Sequence, residues 1–223
     1  MGAILCIFVA NALGRRRTIL LGSLIMIVGA ILQSTAFTLG HLIAGRVVTG
    51  VGNGFNTSTV PTWQSECSKA HRRGQLVMIE GALITCGIMI SYWLDLGLSF
   101  ADKSRGVESV AWRFPIAFQI VFAIIILVFV MLLPESPRWL VLRGREGEAV
   151  DVLGAILDVE LDDEYLQQEY SAIKDTVLLQ ESVTMRDLFT MDENRHFHRV
   201  CLAYVNQMFQ QISGINLITY YIP

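Results

Sequence analysis

Two groups of residues in this chain could do chemistry, and both stand in apolar surroundings where polar groups are costly. The first is a set of amides in the final run: Asn206, Gln207, Gln210, Gln211 and Asn216, accompanied by Ser213, Thr219, Tyr220 and Tyr221. Asn206, Gln210, Ser213 and Leu217 follow one another at steps of four, three and four, so they share one face of a helix. Gln207, Gln211, Gly214 and Ile218 make a neighbouring row at the same steps. An amide in hydrocarbon is unfavourable unless it is bonded, which points these rows toward a wet cavity. Asn and Gln offer both donors and acceptors, a set that suits a neutral, polyhydroxylated ligand. Amide bonds between helices, with no ligand at all, compete with that reading.

The second group is ionisable. Arg46 lies a short way into one apolar run, and Glu80 lies within another. A charge at that depth normally faces the interior of a bundle and finds a partner. Arg46 is also close enough to the outer end of its run to reach the interface. Glu80 is near enough to the basic loop to turn back toward Arg72 or Arg73. Gly45, Gly50, Gly52 and Gly54 surround Arg46, and small residues at such spacings let helices approach closely. They do not have the spacing or the strand-to-helix setting of a dinucleotide loop. Asn56-Thr57-Ser58 has the form of a glycosylation acceptor but falls inside an apolar run. His196 and His198, two apart, point to different faces of a helix and make no metal pair.

Helices long enough to cross a bilayer must position these groups. Of the 223 residues, 53% are hydrophobic and only 17% charged, well short of a soluble domain of this size. Uncharged or nearly uncharged runs cover about Thr18–Gly40, Leu42–Pro61, Gln75–Gly97, Phe114–Leu133 and Val200–Pro223, each near the 20 residues a span requires. Met1–Leu13 is apolar but shorter, and reads as a spanning helix whose beginning is missing rather than as a signal peptide, because its arginines follow the apolar part. Connections are expected near Gly40-His41 and as a hydrophilic loop from Ser99 to Trp112. Pro134 and Pro137 cannot continue a helix, and Glu135, Arg138 and Trp139 place charge and an indole where membrane meets water. Fifteen acids against six Lys or Arg then fall between Pro134 and His198, which marks a water-exposed segment. Within it Ala149, Val150, Leu153, Ile156 and Leu157 share one face, as do Leu166, Tyr170, Ile173 and Val177. The opposite faces are acidic, so these amphipathic helices are expected to dock beneath the membrane bundle rather than lie on lipid.

Three basic groups set the orientation: Arg15–Arg17, Lys69–Arg73 and the arginines after Pro134. Two spans separate each from the next, so all three lie on one face, which the excess of Lys and Arg marks as cytoplasmic. Cys6, Cys67, Cys86 and Cys201 are scattered and offer neither a disulfide framework nor metal spacing. The net charge of −3 gives no reason to propose nucleic acid, and no cofactor motif stands out. The fold class is therefore an all-α membrane protein, with the lipid bilayer as its surroundings and no enzymatic chemistry.

Several motifs, in order, resemble the sugar porter branch of the major facilitator superfamily. They are Gly14-Arg15-Arg16; Gly45-Arg46 with Gly50, Gly52 and Gly54; Pro61-Thr62-Trp63-Gln64-Ser65-Glu66; Arg72-Arg73-Gly74; Pro134 to Leu140; and Gln210-Gln211 with Gly214, Asn216, Tyr220 and Tyr221. The resemblance implies a partial major facilitator bundle covering the second to seventh of twelve spans. Residues 1–133 would belong to the N-terminal half with its first helix missing, 134–198 to a cytoplasmic helical linker, and 199–223 to the first helix of the C-terminal half. It implies transport of a sugar, a hexose or related carbohydrate, by alternating access in the plasma membrane. A sugar-sensing, non-transporting membrane protein of the same fold is the other class it allows. By resemblance, Gln210, Gln211 and Asn216 would bond sugar hydroxyls, and Tyr220 and Tyr221 would help close the outer side. Arg15, Arg16, Glu66, Glu135 and Arg138 look like a cytoplasmic gate that holds the outward-facing state. Arg46 resembles the arginine that, in proton-coupled symporters of the family, answers an acid in the first span, so protons join the sugar among the expected partners. The chain departs from the pattern at Asn11, where relatives often carry an acid, at Trp63 in place of tyrosine, and at Gly81, where many carry a sugar-contacting glutamine.

Overall fold

A computed structural model describes residues 2–69, 72–105, 108–159, 163–181 and 196–214; side chains of 99, 101–105, 108–111, 179–181 and 196 are not described. Every regular element among them is a helix: α1 (Gly2–Leu13), α2 (Arg15–Ser34), α3 (Leu39–Glu66), α4 (Arg73–Arg105), α5 (Glu108–Leu132), α6 (Pro137–Leu142), α7 (Glu146–Leu157), α8 (Glu164–Glu181) and α9 (His196–Ile212). Three stretches are long and apolar enough to cross a membrane: Arg15–Ser34, Arg73–Leu98 and Trp112–Leu132. Helix α3 covers the expected Leu42–Pro61 run, but its Gly, Asn, Thr and Ser content keeps it out of that set. Of the final run, residues 200–214 are described, and α9, which begins four residues earlier, covers them as far as Ile212.

Two connections differ from the sequence expectation. Helix α2 stops at Ser34, and the Thr38 hydroxyl caps α3 by accepting from the His41 N–H at 3.3 Å, so Gly40 and His41 lie in the first turn of α3. Between Ser99 and Trp112, α4 runs on to Arg105 and α5 begins at Glu108. Polar residues do not end a helix that has left the membrane, because water satisfies their side chains while the backbone ladder continues.

The chain divides into two compact units, 1–174 and 175–223. In the first, α2 packs closely on α3, and glycines make the contact. A Cβ on Gly22 would stand 2.6 Å from Asn56 Oδ1, and one on Gly52 would stand 2.6 Å from the Gly22 carbonyl. Gln33 donates to Thr49 Oγ1 and, at 3.3 Å, to the Gly45 carbonyl, while Asn56 donates to Ser23 Oγ at 3.2 Å. Gly54 meets Gly2 and Ala3 of α1. Gly50 meets nothing within 4 Å, so of the four glycines around Arg46 it is the one that no described helix approaches. It shares a face with Gly54, one turn away along the helix, but α1 reaches only the Gly54 end.

The linker helices bury the faces their periodicity marks. Leu153, Leu157 and Leu166 form one cluster with Val150, Tyr170 and Ile173 against it. Trp139, Leu140 and Ala149 form another, with Val141 and Val152. In the second unit, α9 presents Tyr204, Met208, Phe209 and Ile212 as exposed apolar residues.

Candidate functional site

Four membrane-side helices end together in the first unit, and charged side chains fill the gap among them. Helix α1 ends at Leu13, and Gly14 turns the chain into α2 with φ +91°, a left-handed value that suits glycine. A Cβ there would stand 2.7 Å from Glu135 Oε2. The tight turn aims the free N–H groups of α2 at Glu135, whose Oε1 accepts from the Arg15 N–H at 2.9 Å and the Arg16 N–H at 3.1 Å. The same oxygen accepts from the Ser136 N–H at 3.1 Å. A carboxylate at a helix N-terminus satisfies orphan donors and meets the positive end of the macrodipole.

The Arg15 side chain reaches the end of α3. Its Nε donates to Glu66 Oε2 at 3.0 Å and its Nη2 to Glu66 Oε1 at 3.1 Å, a bidentate pair with only 15% and 9% of the two side chains exposed. Ser136, fully buried, donates its hydroxyl to Glu66 Oε2 at 2.6 Å and accepts from the Trp139 N–H at 3.4 Å as the cap of α6. One serine thus joins the end of α3 to the start of the linker.

Three further cations bond helix C-termini, where carbonyls lack partners. Arg16 Nη2 donates to the Met131 carbonyl at the end of α5. Arg143 Nη2 donates to the carbonyls of Asn11 and Ala12, both at 2.8 Å, and Trp139 Nε1 to Asn11 at 3.1 Å. Lys69 Nζ donates to the Leu157 carbonyl at the end of α7 at 2.9 Å. Asn11 therefore contributes its backbone, so the acid that relatives often carry there is not needed for these bonds. Arg138 lines a cavity of about 170 Å3 with Glu66, Lys69, Arg73 and Glu169, between the end of α3 and the linker helices. Beside the network, burial first and then the Glu66 and Glu135 carboxylates push the Cys67 thiol up to about 12.

Of the five expected gate residues, Arg15, Glu66 and Glu135 form the network directly. Arg16 joins through its backbone and a carbonyl, and Arg138 flanks it. Ser136, Trp139 and Arg143 belong to it as well, although their partners are backbone groups or a carboxylate seventy residues away. The three basic groups used for orientation all meet at this end.

The other expected site residues are less assembled. Arg46 is exposed on α3 and has no partner among the described residues. Glu80 is half-buried on α4 and has no ion-pair partner there, so it does not reach back to Arg72 or Arg73. Gln210 and Gln211 lie in the last turns of α9, both exposed, and the Gln210 carbonyl accepts from Ser213 Oγ at 2.7 Å. Asn216, Tyr220 and Tyr221 lie outside the described residues. Among the described residues, no cluster of His, Cys, Asp and Glu could hold a metal ion.

Comparison with known proteins gives the family. A family model described as "Sugar (and other) transporter" matches residues 1–223. The chain is 43% identical over 226 residues to the sugar transporter STL1 of Saccharomyces cerevisiae, covering 99% of this chain and 39% of that protein. It is 42% identical to the major facilitator superfamily transporter mfsA of Aspergillus fumigatus, again over 99% of this chain and 41% of the relative. The chain thus spans about two fifths of the length of these relatives. In fold it is similar to the proton:xylose symporter XylE bound to 6-bromo-6-deoxy-D-glucose, with a TM-score of 0.85, 22% identity and coverage of 99% of this chain and 48% of that one. A partially occluded inward-open XylE from E. coli gives a TM-score of 0.82 at 22% identity, covering 99% and 51%. The fold is that of a partial major facilitator bundle, and the chain belongs to the sugar transporter family of multi-pass membrane proteins.

Proposed function

We propose that the whole protein carries a hexose or related carbohydrate across the plasma membrane by alternating access, and that this chain supplies most of one helical half and the linker. Residues 1–133 form the N-terminal bundle, 134–198 the cytoplasmic linker, and 199–223 the first helix of the second half. The observation that carries the reading is the family match along the whole chain, joined to a buried Arg15–Glu66 pair that ties α2 to α3 and, through Ser136, to the linker. Alternating access requires each half to move as a body. A network that welds four helix ends and the linker into one unit makes such a body. When the cytoplasmic side closes, Arg15, Arg16, Glu66, Glu135 and Arg138 form the charged face of the gate.

Gln210, Gln211 and Asn216 bond the sugar hydroxyls, and Tyr220 and Tyr221 close the outer side. Arg46 lies seven residues inside α3, roughly 10 Å from its start at 1.5 Å per residue. A cation at that depth takes a partner from the rest of the protein, and an acid there would give protons a place in the cycle. Reconstituting the full-length protein in vesicles and following labelled hexoses tests the reading: saturable flux is expected. Saturable binding without flux would identify a sensor instead.

A further inference from the structure

A second cavity, of about 610 Å3, opens beside the charge network between the start of α2, the end of α5, and helices α6 and α7. Its size falls within the roughly 300–1,000 Å3 of small-molecule sites. Its chemistry is divided. Arg16, Arg17 and Arg145 line it beside Glu135 and Glu148, and Leu20, Met131 and Trp139 supply apolar surface. Leu20 is five residues inside the first candidate span, and Met131 is next to the last residue of the third. The cavity therefore straddles the line where hydrocarbon gives way to headgroups.

The charges do not cancel. The lining holds three arginines against two carboxylates, Glu135 and Glu148, and Glu135 Oε1 already accepts from three backbone N–H groups at the start of α2 and α6. Arg145 is held by Glu148, through Nε and Nη2 to Oε1 at 2.8 and 2.6 Å, in an exposed pair that rearranges at little cost. Arg16 spends one nitrogen on the Met131 carbonyl. Arg17 is exposed and has no partner among the described residues. A lining with an excess of positive charge beside apolar side chains, on the face where Lys and Arg collect, complements a molecule with an anionic head and a greasy tail. Anionic phospholipids of the cytoplasmic leaflet have that form, and basic pockets between spanning helices on that side hold their headgroups.

We propose that this cavity binds an anionic phospholipid, with the phosphate at Arg17 and Arg16 and an acyl chain along Leu20 and Met131. A soluble phosphate would use the arginines but leave the apolar part of the lining empty. The assignment is independent of whether the protein transports or senses sugar.

The test uses the full-length protein in detergent, with phosphatidylserine, phosphatidylcholine and inorganic phosphate as probes and bound lipid counted by native mass spectrometry. Phosphatidylserine should be retained over phosphatidylcholine. Arg17→Gln should lower its affinity about fivefold, the weight of one surface cation, while Arg17→Lys should restore it. Arg72→Gln, on the other basic loop, should leave it unchanged. Equal retention of phosphatidylcholine would overturn the proposal, as would full competition by equimolar inorganic phosphate. So would an Arg17→Gln affinity equal to wild type, or an equal loss in Arg72→Gln, which would make the attraction a property of the whole charged face.

Discussion

Arg15 and Glu66, fifty-one residues apart, meet through two parallel hydrogen bonds at 3.0 and 3.1 Å where α2 begins and α3 ends. Both side chains are largely withdrawn from water, so removing one partner strands the other. Glu66→Gln should destabilise the protein by about 3 kcal/mol. Arg15→Lys, which keeps the charge but not the fork, should cost about 1–2 kcal/mol. Thermal unfolding of both single variants and the double variant would give the coupling energy, and strictly additive losses would contradict a direct pair.

Gly14 and Gly50 make a contrasting pair. Gly14→Ala places a methyl at a left-handed φ and against the Glu135 carboxylate, so a loss of about 1–3 kcal/mol is expected. Gly50→Ala meets open space in a helix and should be neutral, or gain up to about 1 kcal/mol. Side-by-side melting curves check both, and equal effects would remove the role given to the turn.

Cys67 gives a chemical readout of burial at the network. With its thiol pushed up to about 12, it stays protonated at neutral pH and should alkylate far more slowly in the folded protein than after unfolding. Because the folded value lies above the ordinary 9.0, the unfolded chain releases this proton first. Stability is therefore full below about pH 9 and falls as pH rises toward 12. Alkylation of Cys67 at the same rate before and after unfolding would contradict the packing around Glu66.

The linker carries its own pH signature. The Lys174 ammonium, 2.8 Å from Glu146 Oε1, holds that carboxyl below its ordinary 4.5, and Glu146 holds Lys174 above its ordinary 10.5. The depressed acid contributes stability above pH 4.5 that is lost as pH falls through its folded value. The raised base contributes stability below pH 10.5 that is lost as pH climbs through its own. Hydrogen exchange should show α7 and α8 losing protection in acid, with Lys174→Met starting lower at neutral pH and losing less below 4.5. The same acid profile in both proteins would rule the pair out.

Gln210→Ala should weaken sugar binding by the full-length protein about 5- to 100-fold, the range for a lost hydrogen bond to a ligand, with protein abundance unchanged. Equal falls in binding and abundance would instead favour amide bonds that only hold helices together.

Charge placement in loops carried the right information about which ends meet, because like-signed loops separated by pairs of spans must share a face. The family resemblance, rather than charge placement, singled out Arg15, Glu66 and Glu135, whose partners are charged or lie at a helix start. Charge placement could not reach Arg143, Trp139 or the side chain of Arg16, because they bond backbone carbonyls, and every helix C-terminus offers those whatever its sequence. Ser136 stood in plain view between Glu135 and Pro137, yet its double role as cap and donor depends on where α3 ends in space. Polar composition between Ser99 and Trp112 suggested a loop, but helices extend past the membrane when nothing stops them. Gly50 has the spacing of a packing residue and lacks a neighbour, since spacing marks a face and not what covers it.

Counterflow in vesicles holding the full-length protein tests the central claim most directly. An outward gradient of unlabelled hexose should draw labelled hexose inward to a transient excess, and Glu66→Gln should slow that exchange more than it weakens sugar binding. Binding of labelled hexose with no exchange under the same gradient would contradict alternating access.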